Sequence, residues 1–363
     1  MEIKLLILDD DAEVLENYDG VIERYNRDND DCNIKLYKAT TLDESLEYIK
    51  YNKLDTAIID LNLGTSRDDN RGNFAIKELL NSFRLPIFVI SGEISKLDES
   101  YTENDMIVAY DRDQKEFRII LNEIVEAFKS ETMKYFKRDG FLEKKINELY
   151  WNHLSKTINA WRDVEKECPT EIEKILSRHT VASLNEQLYV DGNVGSFDKY
   201  HTGEMYIIPP IKQHYHTGDI LEKDGNKFII INPACDIVNK GKMEFYTLLT
   251  IQEAITLPKI INKQPVGQET YINENLKQSN KLDRYHFLPK FAIIDKDYVI
   301  DFQNINIINI GEGCIPSNPD YLVRRELNIK NYRRVASISS PFLKDIVARF
   351  SAYYARQGQP NFL

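Results

Sequence analysis

The stretch Ile3-Lys4-Leu5-Leu6-Ile7-Leu8-Asp9-Asp10-Asp11 is a short apolar run that ends in three acidic residues. Such a run predicts a buried strand of a parallel sheet, because both faces of such a strand are covered. Helical spacing of apolar residues and further short apolar runs then alternate as far as residue 130. Repeated strand–helix units of this kind predict a doubly wound parallel sheet with helices on both faces.

The same patterns give the order of elements in this first region. Thr41, followed three residues later by Glu44, is typical of the start of a helix. The expected strands span 3–8, 34–37, 56–60, 85–90 and 106–110, and the expected helices span 12–25, 42–51, 73–82 and 115–130. We therefore expect a five-stranded sheet within residues 1–130.

Length and charge indicate more than one domain. The chain has 363 residues, 42% of them hydrophobic and 29% charged, which is typical of a globular protein of two or three domains. Residues 1–130 hold 16 Lys and Arg against 29 Asp and Glu (net −13), and the rest holds 31 against 29 (net +2), which together give the −11 of the chain. The acidic first part is a poor surface for DNA phosphates. The change in charge predicts a domain boundary near residue 130.

The remaining chain is helical at first and β-rich afterwards. Residues 131–189 have helix-like spacing and predict a helical connector, with a dimerisation or signalling helix pair as the alternative. From residue 190 on, glycines separate short β-rich runs, and Asp224-Gly225 predicts a hairpin. Later strands are expected at 291–295, 298–302 and 305–310, and a final helix at 342–356. The expected fold class is α/β, with a doubly wound sheet at 1–130, a helical connector at 131–189 and a β-rich, small barrel-like α+β domain at 190–363.

Cysteine content and hydropathy bear on the location of the protein. Four scattered cysteines, Cys32, Cys168, Cys235 and Cys314, form neither a disulfide framework nor a CxxC zinc pair. No apolar run reaches the roughly 18 residues of a membrane-spanning helix, and the first residues lack the basic region of a signal peptide. We expect a cytoplasmic protein with reduced thiols and no membrane partner.

Polar side chains follow four of the predicted strands, at the point where each strand ends. Asp9 and Asp10 follow the first, Asp60 ends the third, Ser91 follows the fourth and Arg112 the fifth. Open parallel sheets bind ligands at the carboxyl ends of their strands. Carboxylates from two adjacent strands repel one another unless a cation lies among them, and oxygen ligands suit Mg²⁺. The sequence therefore predicts a magnesium site at Asp9, Asp10 and Asp60.

Three segments together resemble the receiver domain of two-component response regulators: ILDDD at 7–11, IIDLNL at 58–63 and VISG at 89–92. The resemblance covers residues 1–130. It implies that Asp60 is the phosphoacceptor, which attacks a phosphohistidine of a partner histidine kinase or histidine-kinase-like ATPase. The domain itself would catalyse only this phosphotransfer and its own dephosphorylation.

The resemblance also implies how the site is completed and how a signal leaves it. Asp9, Asp10, Asp60 and the backbone carbonyl of Asn62 would bind Mg²⁺, and the Ser91 hydroxyl would bond to the phosphoryl oxygen. The change would then pass through the loop after strand four to a face made by strand five and two helices of the family fold: helix four, which lies between strands four and five, and helix five, which is the helix expected here at 115–130. The helical connector follows directly on this face.

The segment after strand five departs from the family pattern. The family has a lysine there, whereas this chain reads Tyr110-Asp111-Arg112-Asp113. We expect Arg112 to supply the cation, with a different geometry from lysine, and Tyr110 to occupy the aromatic switch position. Lys115 lies too far along. The missing lysine leaves open a pseudo-receiver that assembles a defence complex without phosphotransfer.

Segments of the C-terminal half resemble a poorly characterised effector module of bacterial phage-defence gene clusters. They are HTGDI at 216–220, FIIINPACD at 228–236, SPFL at 340–343 and RFSAYYARQG at 349–358. The same half is distantly similar to MazF/PemK-type RNA-cleaving barrels, so a receiver-gated, nucleic-acid-cleaving effector is an alternative. His216, Asp219, Cys235 and Asp236 form a candidate effector site. The alternatives are a buried cysteine, a histidine at a strand edge and turn roles for the two aspartates, and no catalytic set is identified.

The basic residues of the C-terminal half do not form a recognisable DNA-reading motif. The most basic stretch, from Arg324 to Arg356, spreads over a loop, a strand and a helix and contains no helix-turn-helix pair. A phosphate or RNA contact stays open. The sequence as a whole favours a response-regulator-type signalling protein that accepts a phosphoryl group at Asp60 and controls a C-terminal effector, with homodimerisation through the connector as a further expectation.

Overall fold

The computed structural model describes residues 1–64, 70–188, 200–277, 283–312 and 314–356. The chain divides into two compact units, Met1–Phe197 and Asp198–Leu363. The boundary predicted at 189/190 lies outside the described residues, so the division into three parts stays a prediction.

A five-stranded parallel sheet forms the centre of the first unit, with the order β2-β1-β3-β4-β5. Its strands are β1 (Glu2–Leu8), β2 (Asn33–Ala39), β3 (Thr56–Ile59), β4 (Ile87–Ser91) and β5 (Ile107–Asp111). The helices around it are α1 (Ala12–Asp28), α2 (Leu42–Tyr51), α3 (Arg71–Ser82) and α4 (Phe117–Lys129). The predicted doubly wound sheet is confirmed, with every predicted boundary within three residues of the observed one.

The helices cover the sheet on both faces. Leu15 of α1 and Ile124 of α4 belong to one apolar core, while Ile49 of α2 and Leu79 of α3 belong to the core on the opposite face. Because β1 lies between β2 and β3, the chain winds away from β1 in both directions. The carboxyl ends of β1 and β3 therefore meet where the strand order reverses, which is the usual ligand position of such sheets.

No α-helix lies between β4 and β5, a stretch that is described throughout. Two short 3₁₀ turns, Ile94–Lys96 and Glu99–Tyr101, occupy it instead. The expectation of an output face containing helix four is therefore wrong for this chain. The Asp98 carboxylate accepts hydrogen bonds from the main chain and the hydroxyl of Ser100. Local bonds of this kind compete with helical ones, so they interrupt a continuous helix here.

Four further helices follow in the first unit: α5 (Glu131–Phe136), α6 (Phe141–Asn152), α7 (Ile158–Glu167) and α8 (Ile172–Leu188). The helical character predicted for this segment is confirmed. Arg84 Nε donates to the carbonyl of Phe136 at 2.6 Å, and Lys53 pairs with Asp139 at 2.5 Å, which ties the first of these helices to the sheet domain. None of the helices in the described ranges combines the length and the apolar character needed to cross a membrane.

The second unit is built on a seven-stranded antiparallel sheet with the order β10-β11-β9-β8-β7-β12-β6. Its strands are β6 (Tyr206–Ile207), β7 (Asp219–Lys223), β8 (Asn226–Ile230), β9 (Phe245–Glu253), β10 (Tyr285–Leu288), β11 (Tyr298–Asn309) and β12 (Arg333–Ile338). Its helices are α9 (Ala234–Val238), α10 (Pro265–Ile272), α11 (Tyr321–Glu326) and α12 (Ser340–Ala355). The sheet curls into a half-barrel, and the α/β fold class is confirmed.

The hairpin predicted in this unit is confirmed, whereas one strand is wrong. Asp224 and Gly225, both with positive φ, join β7 to β8. The strand expected at 291–295 holds only an isolated bridge between Phe291 and Ile294, because Ala292 at φ 50° turns the chain back on itself. The two strands expected at 298–302 and 305–310 are one strand, β11, whose register shifts between Asp301 and Ile305.

Gly72 gives a test of how tightly α3 packs against the end of β3. A Cβ at this position would lie 2.6 Å from the carbonyl oxygen of Asp60 and 2.6 Å from Leu61 Cα. We expect Gly72→Ala to lower the free energy of unfolding by about 1–3 kcal/mol, because backbone atoms must shift to admit the methyl group. Urea unfolding measures this change.

Gly20→Ala is the matched control, since Gly20 lies inside α1 with no neighbouring atom within 4 Å of an added Cβ. It should raise the free energy of unfolding by roughly 0.5–1 kcal/mol, through helix propensity alone. Equal effects of the two substitutions would contradict the packing described for Gly72.

Candidate functional site

Three carboxylates meet at the carboxyl ends of β1 and β3. Asp9 and Asp10 follow β1, and Asp60 follows β3. One oxygen from each of the three lies within 4.8 Å of the others. Asp9 is 3% exposed and Asp60 is 4% exposed, whereas Asp10 is open to solvent. Two buried carboxylates at this spacing repel each other and need a cation.

Arg112, which follows β5, supplies a cation to this pair. Its Nη2 atom donates to Asp9 Oδ2 at 2.9 Å and to Asp60 Oδ2 at 2.7 Å. The main chain holds the residue beside β4, because the Arg112 N–H donates to the carbonyl of Ser91 at 3.2 Å. A single nitrogen thus bridges both buried carboxylates, 103 and 52 residues away along the chain.

Burial dominates the titration of Asp9. It raises the pKa of Asp9 to about 6, against the lowering effect of the Asp11 N–H and of Arg112. The Asp11 N–H donates to Asp9 Oδ1 at 3.0 Å, and the Asp11 carboxylate in turn caps α1. Asp9 therefore carries a negative charge at neutral pH at a cost in folding free energy.

The remaining receiver-type residues lie around this pair. Ser91, at the end of β4, is fully buried, and its hydroxyl accepts a bond from the Glu93 N–H at 3.3 Å. Tyr110 donates to Glu123 of α4 at 2.8 Å, and Lys115 reaches both of these residues. Lys115 is thus bonded to Tyr110 and to Glu123 of α4, rather than to the carboxylates of Asp9 and Asp60.

Two parts of the site were not predicted from the sequence. Lys96 donates to Asn62 Oδ1 at 2.8 Å, so a lysine from the loop after β4 holds the residue two positions beyond Asp60. Gly72 lets α3 approach the backbone of Asp60. The contact between Lys96 and Asn62 could have been suspected from the sequence, because a lysine follows Ser91-Gly92 closely. The approach of α3 to the backbone of Asp60 depends on the tertiary structure, which no local sequence pattern reports.

The donor set suits Mg²⁺. Carboxylate oxygens are the ligands that this hard cation prefers, and the open side at Asp10 leaves room for the waters that it keeps. Among the residues that the structure describes, this is the one group of three His, Cys, Asp or Glu side chains close enough to hold an ion. Its fit to Mg²⁺ therefore rests on the chemistry of the three carboxylates.

The candidate effector residues do not come together in the same way. Asp219 is fully buried, and its carboxylate accepts from the main-chain N–H of His216 at 2.7 Å. Cys235 and Asp236 are neighbours on α9, with the thiol 3.5 Å from the Asp236 carboxylate. Within the described ranges, no hydrogen bond joins the His216 ring to Cys235 or Asp236. An active site at these four residues stays a prediction.

Comparisons with known proteins find several that are similar to part of this chain. The regulatory protein VanR of Enterococcus faecium is 28% identical over 161 residues, which are 44% of this chain and 63% of VanR. A response-regulator receiver domain from Methanospirillum hungatei is 20% identical and covers 35% of this chain and 94% of its own, with a TM-score of 0.28. A two-component response regulator from Clostridium difficile is 21% identical and covers 35% and 99%, with a TM-score of 0.27. No family model matches the sequence.

The strand order, the three carboxylates at the ends of β1 and β3, and the buried Ser91 define a doubly wound sheet with an acidic site that Arg112 compensates. The N-terminal third of this chain thus has the five-stranded sheet and the acidic residues expected from its resemblance to a receiver domain of the response-regulator type. The chain spans less than two thirds of the length of VanR.

The raised pKa of Asp9 predicts a pH dependence of stability. The pKa of the Asp9 carboxyl is near its ordinary value of 3.8 in the unfolded chain and about 6 in the folded protein. The stability that the neutral carboxyl contributes is therefore fully present below pH 3.8 and is lost as the pH rises through about 6. In chelator-treated protein, Asp9→Asn should therefore gain on the order of 2–3 kcal/mol over the wild type between pH 4 and pH 7.5. Urea unfolding across this range measures the difference.

Asp113→Asn is the control, since Asp113 is exposed and lies beside Arg112 in sequence. It should follow the wild type at every pH. A constant difference between Asp9→Asn and the wild type at all pH values would show that burial does not control the titration of Asp9.

Proposed function

We propose that Asp60 accepts a phosphoryl group from a partner histidine kinase or histidine-kinase-like ATPase, and that this event controls the second unit. The observation that supports the proposal is the meeting of Asp9, Asp10 and Asp60 within 4.8 Å, with Arg112 bridging the two buried carboxylates. This arrangement gives a nucleophilic carboxylate beside positive charge, which is what transfer to a carboxylate requires.

The transfer follows from the contacts of Asp60. One of its oxygens attacks the phosphorus of the phosphohistidine, so the O–P bond forms while the P–N bond breaks and the imidazole leaves with the electron pair. Its Oδ1 accepts a long bond from the Asn62 N–H at 3.3 Å, and its Oδ2 accepts from Arg112. Arg112 remains beside the new phosphoryl group, and the buried Ser91 hydroxyl turns to donate to it. Mg²⁺ bound by the carboxylates would neutralise charge on the phosphoryl oxygens.

Labelling with a small phosphodonor tests the proposal. Full-length protein incubated with acetyl phosphate and Mg²⁺ should gain the mass of one phosphoryl group, and Asp60→Asn should gain none. Asp113→Asn, which alters an exposed acid next to Arg112, should be labelled like the wild type. Intact-mass spectrometry at neutral pH reads the result. Labelling that persists in Asp60→Asn would place the acceptor elsewhere.

The contacts of Arg112 favour a second candidate function. Because its guanidinium pairs with both Asp9 and Asp60, it compensates these two buried carboxylates in the place where a metal ion would otherwise do so. A domain of this kind can serve as a pseudo-receiver that binds a partner without phosphotransfer. A wild-type protein that binds Mg²⁺ but takes up no phosphoryl group would support this adaptor function.

The bridging position of Arg112 predicts competition with Mg²⁺. Both cations use the carboxylates of Asp9 and Asp60, and like charges in one partly buried site repel each other. Arg112→Ala should therefore bind Mg²⁺ up to about tenfold more tightly than the wild type and gain more in melting temperature on Mg²⁺ addition. Asp10→Asn, which removes one of the three carboxylates, should lose most of the increase in melting temperature that Mg²⁺ produces in the wild type. Titration followed by thermal unfolding measures both.

Arg118→Ala is the matched control, because Arg118 forms an exposed ion pair with Asp28 on α1, at 2.8 Å. Its response to Mg²⁺ should equal that of the wild type. If Arg112→Ala binds Mg²⁺ more weakly than the wild type, then Arg112 supports the metal site instead of competing for it.

The proposal extends to the partners and place of the protein. We propose that α6 to α8 carry homodimerisation, because α7 and α8 bury none of their residues and Trp151 and Val181 are exposed. Sedimentation of the labelled protein tests this. A cytoplasmic location is supported by the four unpaired cysteines. A role in phage defence is supported by the resemblance of the C-terminal segments alone.

A further inference from the structure

A cavity of about 710 Å³ lies in the second unit, between α12 and the chain that follows β8. Ile231 and Pro233 form one wall, and Leu343, Val347 and Phe350 of α12 form the opposite wall. Its volume is within the range of sites for small organic molecules. The apolar walls make it suitable for a ligand with an aromatic or aliphatic body.

The charged residues of this cavity are all basic. Lys212 and Lys344 line it from opposite sides, together with His216. No aspartate or glutamate is among the described residues that line it, although the chain as a whole has a net charge of −11. Burial and the neighbouring Lys212 lower the pKa of His216, so the ring adds a neutral hydrogen-bonding group. The polar end of the cavity therefore favours an anion.

The loop that carries Lys212 and His216 is held in place from beneath. Buried Asp219 accepts from the His216 N–H at 2.7 Å and from the Ser337 hydroxyl at 2.7 Å. Arg334 of β12 pairs with Asp219 at 3.3 Å and also donates to the carbonyl of Lys212. A basic loop fixed by a partly buried ion pair is a preformed site, because little conformational freedom is lost when a ligand binds.

The wall formed by Ile231 and Pro233 is fixed by Asn232, which lies between them in the sequence and is buried. Its side-chain amide donates to the carbonyl of Phe245 at 2.8 Å, and its oxygen accepts from the Thr247 N–H at 2.6 Å. Thr217 donates to the carbonyl of Asn232 at 2.7 Å and so links this wall to the basic loop. These contacts satisfy the polar groups of Asn232 and Thr217 within the protein, and the two lysines are the charged residues among those that line the cavity.

We propose that this cavity binds a small organic anion, in which an oxyanion group is attached to an aromatic or aliphatic body. The oxyanion lies between Lys212 and Lys344, and the apolar body lies between Ile231 and the α12 side chains. The proposal is independent of phosphotransfer at Asp60. It assigns the second unit a ligand of its own, whose oxyanion group is either a phosphate ester or a carboxylate.

Two fluorescent probes of similar shape test the roles of charge and of the apolar walls. Full-length protein is titrated with 8-anilinonaphthalene-1-sulfonate, an aromatic anion, and with N-phenyl-1-naphthylamine, its neutral counterpart. The double variant Lys212→Glu/Lys344→Glu should lose about tenfold or more in affinity for the anion and keep its affinity for the amine. Lys263→Glu/Lys290→Glu, which changes two exposed lysines outside the cavity, should bind both probes like the wild type.

A second pair of variants tests the place of binding. Ala348 lines the cavity and Ala352, one helical turn further along α12, does not, and both are exposed. Ala348→Trp should fill the cavity and abolish binding of both probes, whereas Ala352→Trp should have no effect. Binding of the anion that survives both Ala348→Trp and the double lysine variant would overturn the proposal.

Competition then separates the two sources of the anion. Displacement of the bound sulfonate by adenosine monophosphate identifies a phosphate ester, and displacement by octanoate identifies a carboxylate, and either result supports the site. Displacement by inorganic phosphate alone, or by none of the three compounds, would show that the cavity does not select an organic anion and would overturn the proposal.

Discussion

The burial of two carboxylates at the ends of adjacent strands is the constraint on which the first unit depends. The strand order brings Asp9 and Asp60 together, and their burial makes an uncompensated pair too costly to keep. Arg112 resolves this by placing one nitrogen between them. The same arrangement fixes the relative positions of β1, β3 and the segment after β5. Under the proposed function, this is also the place where the guanidinium, a metal ion and the phosphoryl group would meet.

A change at this site has a continuous covalent and hydrogen-bonded route to the helices that follow. With no helix between β4 and β5, α4 is the element that contacts the residues next to Arg112 in sequence. Tyr110 and Lys115 are both bonded to Glu123 of α4. Ser130 ends that helix and also caps α5, where its hydroxyl accepts from the Met133 N–H at 3.2 Å. Hydrogen bonds therefore connect the residues around the end of β5 to α4, and Ser130 connects α4 to α5.

The sequence predicted the elements that local patterns specify and missed those that depend on distant contacts. The acids after β1 and β3 were predictable, because an apolar run followed by aspartate determines both the strand and the position of its end. The geometry by which Arg112 bridges Asp9 and Asp60 was not predictable, because these contacts join residues that are 103 and 52 positions apart. In the second unit, an apolar run at 291–295 suggested a strand. The left-handed backbone of Ala292 makes it a tight turn instead, which apolar composition alone does not reveal.

Asp60 and Asp219 show why the residue type alone does not define a reactive site. Both follow or begin a strand and both are buried, but their hydrogen bonds differ. Each oxygen of Asp219 accepts a short bond, one from the Ser337 hydroxyl and one from a main-chain N–H, and Arg334 adds a positive charge. Among the described residues, Asp60 accepts one long bond from a main-chain N–H and shares the Arg112 guanidinium with a second carboxylate. A carboxylate whose oxygens both accept short bonds stabilises the loop around it, whereas a carboxylate that shares its cation has less complete compensation. The partners therefore make Asp219 a support for the loop beside the cavity, and they make Asp60 the better candidate for a reactive group.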